Sequence, residues 1–394
     1  MMTIMKFAAF ISAFLFIMFG THYLLYTSIV RFISIEDPGL RRAVMWIIVF
    51  LAVSFFPSAL LLRLHVNIFT TLFYYISSIW LGLFMYLLMA LALIWVIFGV
   101  GKLVGFAPDM RAVSIGFFLL AAAISAYGLW RAHHPGLKHI EVKIEGLPDH
   151  WRNRTVVHLS DLHLGVIHGT TFMQRVAEKV NSVGPDLILI TGDLFDGMGG
   201  DLPSFIEPLN GLKASKGVFF VTGNHEGYLG LDKPLSVLRK THIRVLDNEI
   251  AELEQLQIIG ISFPEYHREN GVRRLLSESG TFNADKPSIL LYHTPTNIGE
   301  HNTDRGSQQT RTYWRPDTSM NLVKQAGIDL QLSGHTHRGQ IFPFGFLTRA
   351  IYNGFDYGLH RDGGFHLYVS SGVGTWGPPM RIGSPPEIVT IKLR

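Results

Sequence analysis

Residues 155–163 read Thr-Val-Val-His-Leu-Ser-Asp-Leu-His, a short β-branched and apolar run that ends in an aspartate and a histidine. A run of this length and composition predicts a buried strand. Asp161 and His163 follow directly after its end, which is where functional side chains collect in α/β folds. The stretch therefore predicts a sheet whose strand ends carry metal-ligating groups.

Four further strand-like runs end in residues of the same kind. They lead into Gly192-Asp193-Leu194-Phe195-Asp196, Gly223-Asn224-His225-Glu226, Tyr292-His293-Thr294-Pro295 and Ser333-Gly334-His335-Thr336-His337. Taken singly, each motif is weak: a Gly-Asp pair after a strand is usually a turn, and only His335 and His337 form a close pair. All the motifs in this order, each after a strand, indicate one shared site.

The C-terminal part of the chain alternates strand-like runs with amphipathic or loop segments. The predicted strands are Thr155–Leu159, Leu187–Thr191, Val218–Thr222, Ile258–Ile261, Ile289–Tyr292, Ile328–Leu332, His366–Ser370 and Ile388–Leu393. Helical periodicity appears in Phe172–Val183 and Met320–Ala326. This alternation predicts an α/β domain with central sheets.

The N-terminal part of the chain has long apolar stretches instead. Residues Phe7–Val30, Ala43–Leu62, Val66–Gly101 and Ala112–Trp130 contain no Asp, Glu, Lys or Arg. A helix that crosses the hydrocarbon core of a membrane needs about 20 apolar residues. We therefore expect a transmembrane region of about four helices over residues 1–134, a short linker at His133–Gly136, and the α/β domain over residues 135–394.

The third apolar stretch is too long for one simple span, since at about 1.5 Å per residue it exceeds a hydrocarbon core of roughly 30 Å. A tilted helix that begins near Asn67 is the preferred interpretation, and a break around Gly82 with a fifth crossing stays open. With four spans, each side of the membrane holds five Lys or Arg. The positive-inside rule therefore leaves the orientation undetermined.

Charge and cysteine content exclude several classes of site. Residues 1–134 hold eight Lys or Arg and three Asp or Glu, which leaves 26 basic and 27 acidic residues for the rest of the chain. The excess of basic charge thus belongs to the membrane region, and no nucleic-acid partner is expected. The chain has no cysteine, so a metal site must be built from His, Asp, Glu and Asn.

The inventory of ligands suits the hydrolysis of a phosphate ester. Two divalent cations about 3.5–4 Å apart can hold a hydroxide and neutralise charge on the phosphoryl oxygens. A bridging carboxylate is needed to keep the cations close together. Imidazole ligands favour Mn, Fe, Zn or Ni over a site for Mg or Ca.

The order Asp-x-His, Gly-Asp-x-x-Asp, Gly-Asn-His-Glu, a single His and Gly-His-x-His resembles the calcineurin-like metallophosphoesterase superfamily. Residues 159–165, 333–341 and 377–388 are similar to its membrane-associated bacterial branch. That branch includes transmembrane metallophosphoesterases and a class of UDP-2,3-diacylglucosamine pyrophosphatases. The resemblance implies a sandwich of two β-sheets flanked by helices.

The resemblance also implies roles for individual residues. Asp161, His163 and His337 would bind a first divalent ion, Asp193 would bridge both ions, and Asn224, His293 and His335 would complete the second. His225 would contact the phosphate and protonate the leaving oxygen. Asp196 and Glu226 are not expected as ligands, although Asp196 would orient a neighbouring imidazole.

The chain departs from this pattern at two places. Arg338 occupies a position where relatives commonly carry Gly, so it is a candidate for substrate binding, with a solvent-facing side chain as the alternative. The chain is also longer than usual over residues 297–314, which contain Arg305, Arg311, Tyr313 and Trp314. This insertion is either a cap over an anionic headgroup or a surface loop.

These observations predict an integral protein of the cell (inner) membrane that hydrolyses a phosphodiester or pyrophosphate bond, with the lipid bilayer and a lipid-linked phosphorylated substrate as partners. A general phosphodiesterase acting on nucleotides or cell-wall polymers is the alternative enzyme. An inactive metal-binding scaffold that signals through its spans is a third possibility, although no expected ligand is missing. The sequence leaves the oligomeric state open.

Overall fold

The structure is a computed structural model that describes residues 2–263, 275–276, 282–298 and 315–394. The chain forms two compact units. One comprises residues 1–129 with 377–380, and the other comprises residues 130–376 with 381–394. The division at residues 134 and 135 stays a prediction.

The first unit contains four long apolar helices. They are α1 (Met2–Phe32), α2 (Pro38–Leu64), α3 (Ile68–Val104) and α4 (Met110–Ala132). Each is long and apolar enough to cross a membrane. The predicted start of α3 is confirmed, because the Asn67 side chain accepts hydrogen bonds from the backbone N–H groups of Phe69 and Thr70. The helix continues through Gly82 without a break.

The second unit is built on two six-stranded sheets. The first sheet has the order β1-β12-β2-β3-β4-β5, in which β2 to β5 are parallel and β12 runs antiparallel to β2. Its strands are β1 (Gly136–Val142), β2 (Thr155–Leu159), β3 (Leu187–Thr191), β4 (Val218–Val221), β5 (Arg244–Val245) and β12 (Glu387–Leu393). The parallel strands direct their carboxyl ends to one edge of the sheet.

The second sheet has the order β10-β11-β9-β8-β7-β6, with its four central strands parallel and both edge strands antiparallel. Its strands are β6 (Glu249–Leu253), β7 (Leu256–Ile261), β8 (Ser288–Tyr292), β9 (Leu330–Ser333), β10 (Gly358–Asp362) and β11 (Phe365–Val369). The polar motifs after β8 and β9 therefore leave this sheet at a common edge.

The apolar core has three layers. Val156 and Leu189 of the first sheet pack with Ile289 and Leu332 of the second, so the two sheets face each other across a buried interior. Helices cover the outer faces of both sheets. Within the described residues, the α-helices of this unit are α5 (Thr170–Asn181), α6 (Ile206–Asn210), α7 (Asn224–Leu229), α8 (Asp232–Leu238), α9 (Asn321–Ala326) and α10 (Phe344–Ile351). The predicted sandwich of two sheets with flanking helices is confirmed.

All the predicted strands are present, and the strands that were not predicted are β1, β5, β6 and β10. These four are the edge strands of the two sheets. Edge strands expose one side and carry polar side chains, as Lys138 and Glu141 do in β1, so they lack the continuous apolar run that identifies a central strand.

Candidate metal centre

The predicted ligands lie in turns that follow five parallel strands. Turns after β2, β3 and β4 carry ligands from the first sheet, and turns after β8 and β9 carry the rest from the second. Six of the seven side chains are buried, and His335 is partly buried. The structure thus brings Asp161, His163, Asp193, Asn224, His293, His335 and His337 together at one end of the sandwich.

The backbone of the site is strained at the ligands themselves. Five of the seven have a positive φ in the left-handed region, and these angles are 53° at Asp161, 49° at His163, 49° at Asp193, 71° at His335 and 49° at His337. Non-glycine residues rarely adopt this conformation, which costs of order 1–3 kcal/mol per residue and is concentrated at functional sites. The fold holds these turns against their local preference.

Asp161, His163 and His337 form a first group whose ligand atoms all lie within 4.8 Å of one another. His163 Nε2 is 3.0 Å from His337 Nε2, and His337 Nε2 is 3.4 Å from Asp161 Oδ1. Two imidazole nitrogens and a carboxylate oxygen therefore converge on one small volume.

A second group surrounds the amide oxygen of Asn224. This oxygen is 3.0 Å from His293 Nε2 and 3.0 Å from His335 Nδ1, and the two imidazole nitrogens are 3.2 Å apart. His293 Nδ1 is 2.8 Å from the carbonyl oxygen of Thr191, to which it donates, so Nε2 is the ring nitrogen left to face the group.

Asp193 joins the two groups. Its Oδ2 lies 3.2 Å from His293 Nε2 in the second group and 3.8 Å from His163 Nε2 in the first. A carboxylate in this position can contact ions on both sides, which is the geometry that a bridging ligand requires.

The chemistry of the donors fits divalent metal ions. Burial lowers the pKa of His335 to about 3 and holds the pKa values of His163 and His337 well below their ordinary value, so these imidazoles are neutral and offer lone pairs. His163 and His337 point ring nitrogens at each other, and only one hydrogen fits on the line between them. A cation bound between the two nitrogens would use the lone pairs of both. These clusters of His and Asp could hold divalent metal ions.

Glu226 positions the turns without facing the ligands. Its buried carboxylate accepts hydrogen bonds from the backbone N–H groups of Gly223 at 2.7 Å, Asp193 at 3.0 Å and Phe195 at 3.0 Å. These bonds tie the turn after β3 to the turn after β4. Sequence reasoning excluded Glu226 as a ligand but did not foresee this link.

Two glycines allow the close approach of neighbouring turns. A Cβ atom at Gly334 would lie 2.2 Å from Asp161 Oδ2, and one at Gly223 would lie 2.2 Å from Asp193 Oδ1. Any side chain at either position would therefore displace a predicted ligand.

His225 lies at the open side of the site. Its Nε2 is 4.0 Å from Asp193 Oδ2, while Nδ1 is 3.0 Å from the Gly197 backbone nitrogen and 3.5 Å from Asp196 Oδ1. Burial disfavours the charged ring, but the carboxylates of Asp193 and Asp196 outweigh this effect and raise the pKa of His225. Asp196 thus contacts an imidazole, as expected of an orienting group.

The structure describes Arg338 but only part of the insertion. The guanidinium carbon of Arg338 lies 4.4 Å from the centre of the Tyr357 ring, and the side chain is half-buried. The role of Arg338 in substrate binding stays a prediction. Residues 299–314 of the insertion lie outside the described residues, while Asn297 at its start donates from its backbone to the Asp317 carbonyl oxygen at 2.7 Å.

Arg381 is a residue whose importance the sequence did not reveal. The guanidinium is fully buried, donates to the carbonyl oxygens of Ser371 at 2.7 Å and Gly374 at 2.9 Å, and lies 2.9 Å from His337 Nδ1. In the sequence, residues 377–388 are distinguished only by their similarity to the membrane-associated bacterial branch. A buried Arg beside a predicted ligand fixes the position of that imidazole.

The chain is similar to a family model, to curated proteins and to a solved structure. The family described as calcineurin-like phosphoesterase matches residues 154–339. An uncharacterized metallophosphoesterase of Campylobacter jejuni is 34% identical over 73% of this chain and 69% of its own length. A transmembrane protein with metallophosphoesterase domain from Danio rerio is 32% identical over 80% of this chain and 72% of its own length. The structure of TT1561 from Thermus thermophilus shares 15% identity over 56% of this chain and 89% of that one, with a TM-score of 0.35.

Fold and site together define a metal-dependent phosphoester hydrolase attached to a set of membrane-spanning helices. The chain belongs to the calcineurin-like phosphoesterase family and is a membrane protein.

Proposed function

We propose that this protein holds two divalent ions and hydrolyses a phosphodiester or pyrophosphate bond in a lipid-linked substrate at the cell (inner) membrane. The observation that carries the proposal is the position of Asp193, whose Oδ2 lies within 3.8 Å of imidazole nitrogens from both ligand groups. A carboxylate between two sets of buried imidazoles suits a pair of cations better than one.

The ligands divide between the two ions as the geometry suggests. Asp161, His163 and His337 would hold one ion, and Asn224, His293 and His335 would hold the other, with Asp193 shared. When bound, Mn, Fe, Zn or Ni ions would activate water as the nucleophile and neutralise charge on the phosphoryl oxygens. Glu226 and Arg381 keep the ligands in place.

His225 would supply the proton for the leaving oxygen. Its Nε2 faces the site beside Asp193, and neighbouring carboxylates favour the protonated ring. In the charged form Nδ1–H would face Asp196 Oδ1, 3.5 Å away, in place of the hydrogen bond that Nδ1 accepts from the Gly197 backbone N–H. General acid catalysis by a positioned imidazolium typically accelerates a reaction by about 10²–10⁴-fold.

The membrane helices favour a lipid-linked substrate. A catalytic unit tethered in the bilayer meets membrane-bound phosphates at a high effective concentration, whereas the tether does little for soluble nucleotides. A UDP-linked acyl sugar is one substrate of this chemistry. A general phosphodiesterase acting on nucleotides or cell-wall polymers is the alternative.

Two experiments test the proposal. Purified full-length protein with Mn²⁺ should hydrolyse bis-p-nitrophenyl phosphate, and Asp193→Asn should abolish turnover while Asp149→Asn, a change at an exposed surface carboxylate, should not. The absence of turnover in the wild-type protein would favour an inactive scaffold. Mass spectrometry of lipid extracts from cells with and without the gene should then show a phosphorylated lipid that accumulates without it, whereas unchanged lipids with altered nucleotides would support the alternative.

A further inference from the structure

A cavity of about 340 Å³ opens directly beside the last predicted ligand. Its wall begins at Arg338, the residue after His337, and continues through α10 to Ile382 and Gly383. The volume lies within the range of small-molecule sites in proteins. None of the residues that line the cavity is among the predicted ligands.

The cavity has an excess of positive charge. Arg338 and Arg349 both line it, and Asp356 is the acidic residue of the lining. Within the described residues, neither guanidinium has a carboxylate oxygen within 4.0 Å. The cavity is therefore suited to an anionic group.

The other part of the lining is apolar and exposed to solvent. Phe342 is 43% exposed and Phe346 is 71% exposed, although aromatic side chains of this size normally bury most of their surface. None of the residues of α10 is fully buried. An exposed aromatic patch in the same cavity as two guanidiniums is complementary to a ligand with an anionic group and a hydrocarbon chain.

Close packing and a hydrogen bond position two parts of the cavity wall. Arg338 has a left-handed φ of 49°, and a Cβ atom at Gly339 would lie 2.3 Å from the Gly345 nitrogen, so the turn after His337 packs against the start of α10. The ring beneath Arg338 is fixed as well, because the Tyr357 hydroxyl donates to Glu387 Oε2 at 2.9 Å. A preformed cavity loses little entropy on binding.

We propose that this cavity binds the anionic and alkyl parts of a phosphorylated amphiphile, with the guanidiniums of Arg338 and Arg349 on the anionic group and the rings of Phe342 and Phe346 on the chain. The inference rests on the proposed function, which it extends from a lipid-linked substrate to the residues that select it. A soluble phosphate would use the charged part of the site alone.

The test measures the binding of methyl-, butyl- and hexylphosphonate to Mn²⁺-loaded full-length protein by isothermal titration calorimetry. Each methylene that leaves water strengthens binding by roughly fourfold, so hexylphosphonate should bind at least about tenfold more tightly than methylphosphonate. Equal affinities for the three compounds would overturn the proposal, since only the phosphonate group would then be bound.

Matched variants locate the effect. Phe346→Ala should remove most of the dependence on chain length, while Leu347→Ala, at a neighbouring residue that is 47% exposed but does not line the cavity, should retain it. Arg349→Gln should weaken hexylphosphonate binding by roughly three- to tenfold, and the same change at Arg361 on β10 should have no effect. Equal effects of Phe346→Ala and Leu347→Ala, or an unaffected Arg349→Gln protein, would contradict the assignment.

Turnover of bis-p-nitrophenyl phosphate, measured on the same samples, separates this inference from the proposed function. If the protein turns over the ester but its affinity for phosphonates does not depend on chain length, the proposed function is supported and the proposed ligand site in the cavity is contradicted. If affinity depends on chain length but the protein shows no turnover, the proposed function is contradicted while binding of an amphiphile in the cavity is supported.

Discussion

Glu226 stands next to the predicted proton donor in sequence, yet its carboxylate faces backbone N–H groups in two turns. The sequence predicts the ligands because His, Asp and Asn after strands form a readable pattern, and the structure brings these side chains together. The sequence could not identify Glu226 or Arg381 as positioning residues, since their partners include backbone groups that leave no mark in the sequence. The left-handed turns at the predicted ligands are not predictable either, because Asp and His adopt this conformation more often than most non-glycine residues but still only in a minority of cases.

Replacing Glu226 by Gln should destabilise the turns. The amide would place an N–H group opposite at least one backbone donor, and a buried donor left without an acceptor costs about 1–3 kcal/mol. The thermal midpoint of the detergent-solubilised protein should fall by several degrees, together with a loss of bound metal. Glu252→Gln, at an exposed ion pair, is the control and should change little. An unchanged midpoint in Glu226→Gln would refute the role.

Replacing His225 by Ala should affect poor leaving groups more than good ones. An alkyl ester needs a proton on its departing oxygen, so its hydrolysis should slow by about 10²–10⁴-fold. The p-nitrophenyl ester has a good leaving group that departs without protonation, so its hydrolysis should slow much less, and the protein should retain its bound metal. The test compares the steady-state hydrolysis rates of both esters in His225→Ala and in the surface control His242→Ala. Equal losses on the two esters would argue against proton donation.

At the level of elements, the central strands were predictable and the edge strands were not. β2, β3, β8 and β9 are buried on both faces and read as continuous apolar runs, whereas β10 has exposed Arg and Asp at its end. The strand order of the sheets could not be predicted from the sequence either, because strand pairing depends on contacts between residues far apart in the chain. The site could be predicted nonetheless, since parallel strands bring their carboxyl ends together whatever their order.

A substitution at Gly334 tests how closely the turn after β9 must approach the turn after β2. An added Cβ would lie 1.9 Å from Ser160 Oγ and 2.2 Å from Asp161 Oδ2, so Gly334→Ala must displace the turn after β2. We expect turnover to fall by at least about 10²-fold, as catalysis tolerates misplacement of about 1 Å poorly. Gly169→Ala, where the new Cβ meets nothing within 4 Å, is the matched control. Turnover assays with metal analysis would measure both, and a fully active Gly334→Ala protein would contradict this packing.

At the level of the whole molecule, four spanning helices determine which segments share a side of the membrane. The absence of cysteine from the chain makes single-cysteine labelling direct. Glu36→Cys and Ala107→Cys, in the loops before α2 and α4, should react with an impermeant maleimide from one side of sealed vesicles. His65→Cys and Lys143→Cys should react from the other.

The labelling has a built-in control, since all four cysteines should react after detergent opens the vesicles. Ala107→Cys and Glu36→Cys on opposite sides would show that α3 is not a single crossing. The side on which Lys143→Cys reacts would also settle which face of the membrane carries the catalytic unit.

Counting the divalent ions that one purified chain retains is the most direct examination of the metal centre. Inductively coupled plasma mass spectrometry of the protein loaded with Mn²⁺ should find two ions per chain, and removal of the shared carboxylate in Asp193→Ala should leave one or none. A wild-type protein that keeps a single ion, or none, would contradict a centre built from two facing groups of ligands.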